Sequence, residues 1–299
     1  MSDTDPVIVV GAGIVGTATA RSLQRAGHAV TLLDSAEPGR ATSYGNAGFI
    51  AIDHLLPLAR PSTLKRLPKM LTDRDGPLTV HGPSIPALLP WMARFALAAY
   101  SNAEVRKGID SFGVLMAEAN LAWKAEIQAS GLGELFKSRG ALYVYESEDE
   151  FASGEDERLL QKAKGTEFEI VDGTRARELA PGLSSHIVRG VYYPQGMHTV
   201  DPYRVVATLA ERFAAEGGTV LRGRVRGFGR HGRRVTSVQL TDSALPAKAV
   251  VIAAGRASGE LTRLLGFNAP LVAERGYHRS EEHTSELQSL AYLVCRLLL

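Results

Sequence analysis

Runs of apolar residues near the start of the chain predict a strand, a helix and a second strand. Residues 7–10 are all β-branched, which is typical of a strand covered on both faces of a parallel sheet. A helix is predicted over Ile14–Arg25, ending at Gly27, and a second strand over Ala29–Leu33. A similar apolar run over Ala249–Ala254 predicts another parallel strand. The pattern therefore indicates an α/β fold built on a parallel sheet.

The middle of the chain has weaker periodicity and more turn residues. Prolines are dense between Leu55 and Pro90, which predicts short helices and turns, because an internal proline removes a helical hydrogen bond. The other predicted elements are helices over 91–100, 111–130, 148–164, 174–179, 202–216 and 257–265, strands over 141–145 and 188–193, a loop over 194–200, and two strands, 219–221 and 235–241, that form a small sheet of their own.

Three glycines follow the first strand in the spacing Gly11-x-Gly13-x-x-Gly16, and Asp34 ends the second strand. Such glycines let the backbone approach a pyrophosphate, the amides at a helix N-terminus favour an anion, and the acid accepts hydrogen bonds from ribose hydroxyls. Glycine triplets also occur in ordinary turns, but here the strand, helix, second strand and acid are all in place. We therefore predict a dinucleotide site. The carboxylate disfavours NADP, whereas NAD and FAD both stay open.

A loop of small and polar residues follows over 37–48. Thr42, Ser43 and Asn46 offer hydrogen-bonding groups there. A plain surface loop has a similar composition, but the position directly after a nucleotide motif favours a loop that closes over a ligand.

The composition excludes several other classes of protein. The 299 residues are 45% hydrophobic and 22% charged, with a formal net charge of +2, so no overall field recruits nucleic acid. The arginine-rich stretch 222–234 is interpreted as a solvated hairpin. Because Cys295 is the single cysteine, a disulfide scaffold and a thiolate metal site are excluded, and we expect no metal.

Targeting segments are not evident in the sequence. The N-terminus lacks a secretory pattern, and no apolar run before Ala269 reaches membrane-spanning length. We therefore expect a cytoplasmic protein.

The composition changes from Arg279 onward. Residues 279–289 resemble the translation of a sequencing-library adapter, and 290–299 form an apolar stub. An amphipathic C-terminal helix with a membrane-seeking end is the alternative. We favour the adapter and expect 279–299 to be a non-native tail, which would leave the native part without cysteine.

Several motifs, taken in order over residues 7–278, resemble the D-amino-acid oxidase superfamily, and within it most closely the small subunit of bacterial D-amino acid dehydrogenases. These motifs are the N-terminal glycine fingerprint, the loop Thr42-Ser43-x-x-Asn46-Ala47-Gly48, the proline-rich stretch 64–95, and the segments 196–203, 251–255 and 275–278.

The resemblance implies a glutathione-reductase-type FAD-binding Rossmann domain with an inserted α+β substrate domain on a mixed sheet. The implied divisions are 1–90 (FAD-binding domain, first part), 91–200 (mostly substrate domain), 201–268 (FAD-binding domain, second part) and 269–278 (a strand returning to the substrate domain), followed by the tail 279–299. The family continues beyond this strand with more of the substrate sheet and a final flavin-contacting segment. We therefore expect the fold to be incomplete at the C-terminus.

The resemblance also implies FAD as the cofactor and a set of site residues. The cofactor-binding residues would be Gly11, Gly13, Ile14, Val15, Gly16, Asp34, Ser35, Thr42, Ser43, Asn46, Ala47, Gly48, Val225, Ala253, Ala254 and Gly255. Tyr277 and His278 would lie toward the substrate side of the flavin. The equally good alternative is that they are ordinary strand residues with no role at the site. No catalytic base is assigned.

The implied activity is oxidation of the CH–NH bond of a D-amino acid or a related amino acid. Hydride transfer to flavin N5 gives an imino acid, which water converts to a keto acid. The partners would be the amino acid and an electron acceptor, oxygen or a quinone. A quinone would bring the protein to the cytoplasmic face of the inner membrane as a peripheral protein. Because the final flavin segment is not in the chain, we expect these 299 residues to bind FAD poorly and expect activity from the product of the parent gene.

Two other functions stay open at this point. Asp34 suits an NAD-binding dehydrogenase equally well, although the loop 43–48 and the turn 253–255 favour FAD. The other alternative is an inactive fragment or a nucleotide-binding module used for assembly. A flavin absorbance band distinguishes the FAD-dependent enzyme from an NAD-binding dehydrogenase.

Overall fold

The computed structural model describes residues 5–50, 55–72, 78–79, 85–269, 271 and 297–298. The helices are α1 Ile14–Arg25, α2 Pro61–Thr72, α3 Ile85–Tyr100, α4 Asn102–Ser130, α5 Glu148–Ala152, α6 Glu155–Ala163, α7 Gly173–Leu179, α8 Pro202–Ala215 and α9 Ser258–Leu264, with 3₁₀ turns at Gly133–Leu135 and Gly255–Ala257. The strands are β1 Val7–Val10, β2 Val30–Asp34, β3 Phe49–Ile50, β4 Leu78–Thr79, β5 Phe136–Lys137, β6 Ala141–Tyr145, β7 Glu169–Asp172, β8 Arg189–Tyr193, β9 Met197–Thr199, β10 Thr219–Arg222, β11 Gly227–His231, β12 Arg234–Gln239, β13 Ala244–Pro246, β14 Ala249–Ile252 and β15 Leu297–Leu298.

The chain divides into two compact units. The first contains the described residues of 1–48, 126–137 and 199–273, and the second those of 49–125, 138–198 and 274–299. Residues 1–48 and 49–90 thus fall in different units, whereas the family resemblance assigns 1–90 to one domain part. The sequence-based domain bounds stay predictions.

A four-stranded parallel sheet forms the centre of the first unit. Its strand order is β10-β2-β1-β14, and Val9 pairs with Leu32 on one side and Val251 on the other. Ile8, Val9 and Leu32 are completely buried. The parallel strands predicted from the β-branched runs are therefore confirmed, with β1 buried throughout and β14 partly exposed.

Each face of this sheet is covered by a different layer. On one face, Val9 and Leu32 pack with Ala20 of α1 and Phe213 of α8. On the other, the cluster around Ile8 includes residues from the antiparallel sheet β11-β12-β13 and from α9. Burial on both faces explains why β1 is apolar at every position rather than at alternate positions.

Two predictions about the end of the first unit have different outcomes. The helix predicted over 202–216 is confirmed as α8, and Asp201 caps it, because its carboxylate accepts a hydrogen bond from the Arg204 N–H at 2.9 Å. The separate strand pair 219–221 and 235–241 is wrong: β10 pairs in parallel with β2, and β12 pairs with β11 and β13. Sequence periodicity does not specify which strand lies alongside which.

An antiparallel sheet of order β6-β8-β7 lies in the second unit. One of its clusters contains Val171 and Ile187, and another contains Ala141, Val191 and Tyr193. Two shorter pairings also occur in this unit, β3 with β9 in antiparallel and β4 with β15 in parallel orientation.

Several element bounds predicted for the second unit are wrong. Short helices and turns were predicted for the proline-rich stretch, but it contains the 12-residue helix α2 and the start of the 16-residue helix α3. Pro61 opens α2 and Pro86 lies in the first turn of α3, where a helix needs no N–H donor, although Pro68 and Pro90 lie inside these helices. The helix predicted over 111–130 begins nine residues earlier, at Asn102.

Two further corrections concern breaks in the pattern. The charged helix predicted over 148–164 is interrupted at Ser153 and Gly154, which separate α5 from α6. The loop predicted over 194–200 contains the short strand β9, because Met197 and His198 pair with β3.

A buried arginine fastens the first helix to its neighbours in the first unit. Arg21 has only 1% exposure of its side chain, and its Nε donates to Glu126 Oε1 at 2.9 Å. A second guanidinium nitrogen of Arg21 donates to Ser130 Oγ at 3.1 Å and lies 3.4 Å from Glu216 Oε1. Arg25 donates to Glu126 Oε2 at 2.6 Å. These contacts tie α1 to the last turn of α4 and to the residue after α8, and Arg21 needs them because an unpaired buried charge is costly.

We expect Glu126→Gln to lower the free energy of unfolding by roughly 1–3 kcal/mol at neutral pH. Partial burial raises the pKa of the Glu126 carboxyl, but hydrogen bonds from Arg25 and Ser130 and the charges of Arg21 and Arg25 outweigh it, so the pKa is lowered. A lowered carboxyl pKa stabilises the fold above the unfolded value of about 4.3, and this contribution is lost as the pH falls through the folded value.

Urea unfolding between neutral and acid pH measures this difference. Wild type and Glu126→Gln should converge as the pH falls below about 4. Glu118→Gln, at an exposed position of the same helix, is the matched control and should stay close to wild type. A Glu126→Gln deficit that does not change with pH would contradict the ion-pair account.

Candidate cofactor site

The turn between β1 and α1 has no room for side chains at two of its glycines. Gly11 has φ +108°, and a Cβ there would overlap the Ala253 carbonyl oxygen. A Cβ on Gly16 would overlap the Gly11 carbonyl oxygen. The Gly11 N–H donates to Leu33 O at 2.8 Å, and the Ala253 N–H donates to Val10 O at 2.8 Å, so the turn is held against β2 and β14.

The third glycine differs because it faces open space. Gly13 is the N-cap of α1, and a Cβ there would meet only Ser43 Oγ, at 3.5 Å. The first turn of α1 contains no acidic residue, and its Ile14 N–H donates to Ser43 Oγ at 3.1 Å. Val15 is exposed. This helix end can therefore accept an anion beside Gly13.

Asp34 lies at the carboxyl end of β2, beside the glycine turn. Its Oδ2 accepts the Ala12 N–H at 2.7 Å, and its Oδ1 accepts the Ala36 N–H at 3.0 Å and lies 3.4 Å from the Ser35 hydroxyl. Backbone donors thus fix the carboxylate in place. Because a carboxylate offers about four acceptor positions, it keeps capacity for further donors such as ribose hydroxyls.

The loop after β2 closes on itself through Asn46 and Gly48. Asn46 Oδ1 accepts the Gly48 N–H at 2.8 Å, and its Nδ2 lies 3.5 Å from the carbonyl oxygens of Thr42 and Ser43. Gly48 has φ +68°, and the Thr199 N–H donates to its carbonyl at 2.8 Å. The neighbouring Ala47 is exposed.

The remaining predicted residues lie at the same end of the parallel sheet. Ala253, Ala254 and Gly255 follow β14, and a Cβ on Gly255 would lie 4.0 Å from Thr42 Oγ1. Val225 is partly buried against the cluster that contains Leu33. The structure thus brings the glycine turn into contact with Asp34, Ser43 and Ala253. Tyr277 and His278 lie outside the described residues.

Sequence patterns missed two contributions to this region. Arg40 places its guanidinium carbon 4.5 Å from the ring centroid of Tyr203 and 5.6 Å from that of Tyr44. The second is the buried Arg21, which ties α1 to α4. The hydrophobic pattern carries no signal for either, because a charged residue on a helix or loop is usually solvated.

Metal clusters, membrane-spanning helices and cavities are the other features to consider in the described structure. Among them, no cluster of three or more His, Cys, Asp or Glu side chains is placed to hold a metal ion. None of the helices in the described ranges is long and apolar enough to cross a membrane. In the second unit, a cavity of about 570 Å³ is lined by residues such as Asn120, Lys164 and Gln195, and none of the predicted site residues lines it.

Comparison with known proteins decides the family. The profile of the FAD dependent oxidoreductase family, DAO, matches residues 6–295. The chain belongs to this family. A D-amino-acid oxidase from Bradyrhizobium diazoefficiens is 32% identical over 274 residues, covering 91% of this chain and 65% of that protein. A D-amino acid dehydrogenase from Dechloromonas aromatica is 32% identical over 281 residues, covering 91% and 67%. The chain thus spans about two thirds of the length of these curated relatives.

Solved structures of similar fold support the same fold class. L-proline dehydrogenase from P. horikoshii matches with a TM-score of 0.64 at 16% identity, over 92% of this chain and 59% of that one. Glycine oxidase from Bacillus cereus matches with a TM-score of 0.58 at 19% identity, over 87% and 57%. The predicted α/β fold of an FAD-binding protein is confirmed.

The cofactor of the DAO family is FAD, which confirms the sequence-based preference for FAD over NAD. The described residues fit its adenosine diphosphate half. Gly11 and Gly16 leave no room for side chains where the turn packs, Gly13 opens onto space at the N-terminus of α1, and Asp34 keeps acceptor capacity beside it. Close backbone approach, an anion-favouring helix end and a terminal acid are what a dinucleotide requires.

Gly16→Ala and Gly13→Ala should have unequal effects on folding. The Cβ of Gly16→Ala overlaps a carbonyl that is held on both sides, so we expect a loss of about 3 kcal/mol in the free energy of unfolding. Gly13→Ala meets only ordinary contact with Ser43 and should stay within about 1 kcal/mol of wild type. Chemical denaturation of the three proteins without added nucleotide checks this, and equal losses in the two variants would contradict the packing described for the turn.

Proposed function

We propose that this chain supplies the adenosine diphosphate half of the FAD site in an enzyme that oxidises the CH–NH bond of a D-amino acid or a related amino acid. The observation that carries the proposal is the approach of Gly11 to Ala253 beside the open N-terminus of α1, in a member of the FAD dependent oxidoreductase family. The names of the relatives, D-amino-acid oxidase and D-amino acid dehydrogenase, support the substrate class.

The glycine turn and the helix end would bind the pyrophosphate. Gly11 and Gly16 let the backbone pack closely, and the amides near Gly13, Ile14 and Val15 favour negative charge. The Ser43 hydroxyl, which already accepts the Ile14 N–H, can also donate a hydrogen bond to a phosphate oxygen.

The other predicted residues would complete this half of the site. Asp34, held by two backbone amides, would accept hydrogen bonds from the adenosine ribose, with Ser35 beside it. The remaining positions that would border the cofactor are Thr42, Asn46, Ala47, Gly48, Val225, Ala253, Ala254 and Gly255. Tyr277 and His278 stay candidates for the substrate side.

When bound, FAD would accept the hydride from the substrate carbon. The bond order between this carbon and its nitrogen rises as the amine loses a proton, and water then releases ammonia to give the keto acid. Two electrons pass on to an external acceptor. The protein's part is to hold the cofactor and orient the substrate, which is why no side-chain base is proposed.

Oxygen and a quinone are the two acceptors that this chemistry allows. The words oxidase and dehydrogenase in the names of the relatives favour neither. A quinone acceptor would place the enzyme on the cytoplasmic face of the inner membrane as a peripheral protein, whereas oxygen would require no such location.

The experiment is a dye-reduction assay on the FAD-loaded product of the parent gene, with matched D- and L-amino acids. We expect reduction with D-amino acids. Asp34→Asn should lower the rate at least about tenfold at limiting FAD, and excess FAD should restore it. Asp242→Asn, the same change at an exposed position away from the site, is the matched control. The proposed function would be overturned if the folded, FAD-loaded protein failed to reduce the dye with every amino acid tested.

A further inference from the structure

A cluster of two tyrosines and one arginine brackets the turn that carries Ser43. The Arg40 guanidinium carbon lies 4.5 Å from the Tyr203 ring centroid and 5.6 Å from that of Tyr44, both within the range of a cation–π interaction. The rings of Tyr44 and Tyr203 meet edge to face, with centroids 5.8 Å apart. Residues 40 and 44 therefore both rest on Tyr203.

The turn between these two anchors is short and closed. The Tyr44 N–H donates to the Ala41 carbonyl oxygen at 3.0 Å. Ser43 within the turn is 5% exposed, and its Oγ accepts the Ile14 N–H at 3.1 Å. The position of this hydroxyl at the N-terminus of α1 thus depends on where residues 40 and 44 are held.

Tyr203 is itself rigidly placed. It is the second residue of α8, whose first turn is fixed by the Asp201 cap. The loop that precedes Arg40 packs directly on α8. A Cβ on Gly39 of this loop would lie 3.1 Å from Val206 Cβ and 3.2 Å from the Tyr203 ring. The Gly39 N–H donates to the Ala12 carbonyl at 2.9 Å, which links the loop to the glycine turn.

We propose that Tyr203 is a positioning residue for the cofactor: its ring holds Arg40 and Tyr44, and through them it places the Ser43 hydroxyl where a phosphate oxygen binds at the N-terminus of α1. The aromatic ring is the essential part, because it supplies the face for the guanidinium and the contact with the second ring. This inference rests on the proposed function, since it concerns the same pyrophosphate site.

The test compares ADP dissociation constants, measured by calorimetry on the full chain. ADP is the probe because it carries the pyrophosphate without the flavin. Tyr203→Leu should weaken ADP binding about tenfold, and Tyr203→Phe, which keeps the ring, should stay within about twofold of wild type. Tyr100→Leu removes an exposed tyrosine elsewhere and is the matched control.

A second comparison separates positioning from general stability. If Tyr203 acts through Ser43, Tyr203→Leu should weaken ADP binding by less than about twofold in a Ser43→Ala background. Arg40→Met, at a half-exposed position, should weaken binding severalfold and supplies the same test if Tyr203→Leu does not fold. Circular dichroism melting curves monitor folding of each variant.

Each outcome has a distinct meaning. Wild-type affinity in folded Tyr203→Leu, or in Arg40→Met if the first variant does not fold, would overturn the inference and leave the proposed function standing. An equal loss with and without Ser43 would also overturn it, because the effect would then bypass the hydroxyl. Absence of ADP binding by the wild-type chain would overturn the proposed function and the inference together.

Discussion

The close approach of the β1–α1 turn to the end of β14 is the constraint on which the first unit depends. Gly11 occupies a left-handed conformation with its α-carbon against the Ala253 carbonyl, and Gly16 packs against Gly11 in turn. A side chain at either position would force the helix away from the sheet. With both absent, α1 begins directly above the parallel strands, and the amides at its N-terminus favour an anion at that end.

The rest of the site follows from the shared direction of the strands. Parallel strands bring their carboxyl ends to one edge, so Asp34 and Ala253 both lie beside the glycine turn although they are far apart in the chain. The loop with Ser43 is then held over this edge by contacts to α8, and the far end of α1 is fastened through Arg21 and Glu126. Binding groups and their supports thus come from separate segments.

The sequence predicted those parts of the fold that depend on neighbouring residues. The β1–α1–β2 unit, the capped helix α8 and the parallel strand β14 all carry local signals of periodicity, capping or composition. The pairing of β10 with β2 was missed because it is a long-range contact that no local pattern encodes. The full lengths of α2 and α3 were missed because the prediction counted prolines without regard to their position. A proline in the first turn of a helix costs no hydrogen bond.

The same distinction applies to the candidate site. Gly11, Gly13, Gly16 and Asp34 stand at a spacing that the chemistry of a dinucleotide requires, so they were found from sequence. Tyr203 lies more than 150 residues from the loop it holds, and nothing in its neighbourhood along the chain points to that loop.

The most direct measurement is the affinity of Gly13→Ala for ADP, compared with that of the wild-type chain. Among the three glycines of the turn, Gly13 is the one where an added methyl group makes only ordinary contact with Ser43 and otherwise enters the space assigned to the pyrophosphate. The account predicts that the wild-type chain binds ADP and that Gly13→Ala, still folded, binds it at least about tenfold more weakly. Equal affinity in the two folded proteins would contradict the placement of the cofactor at this turn.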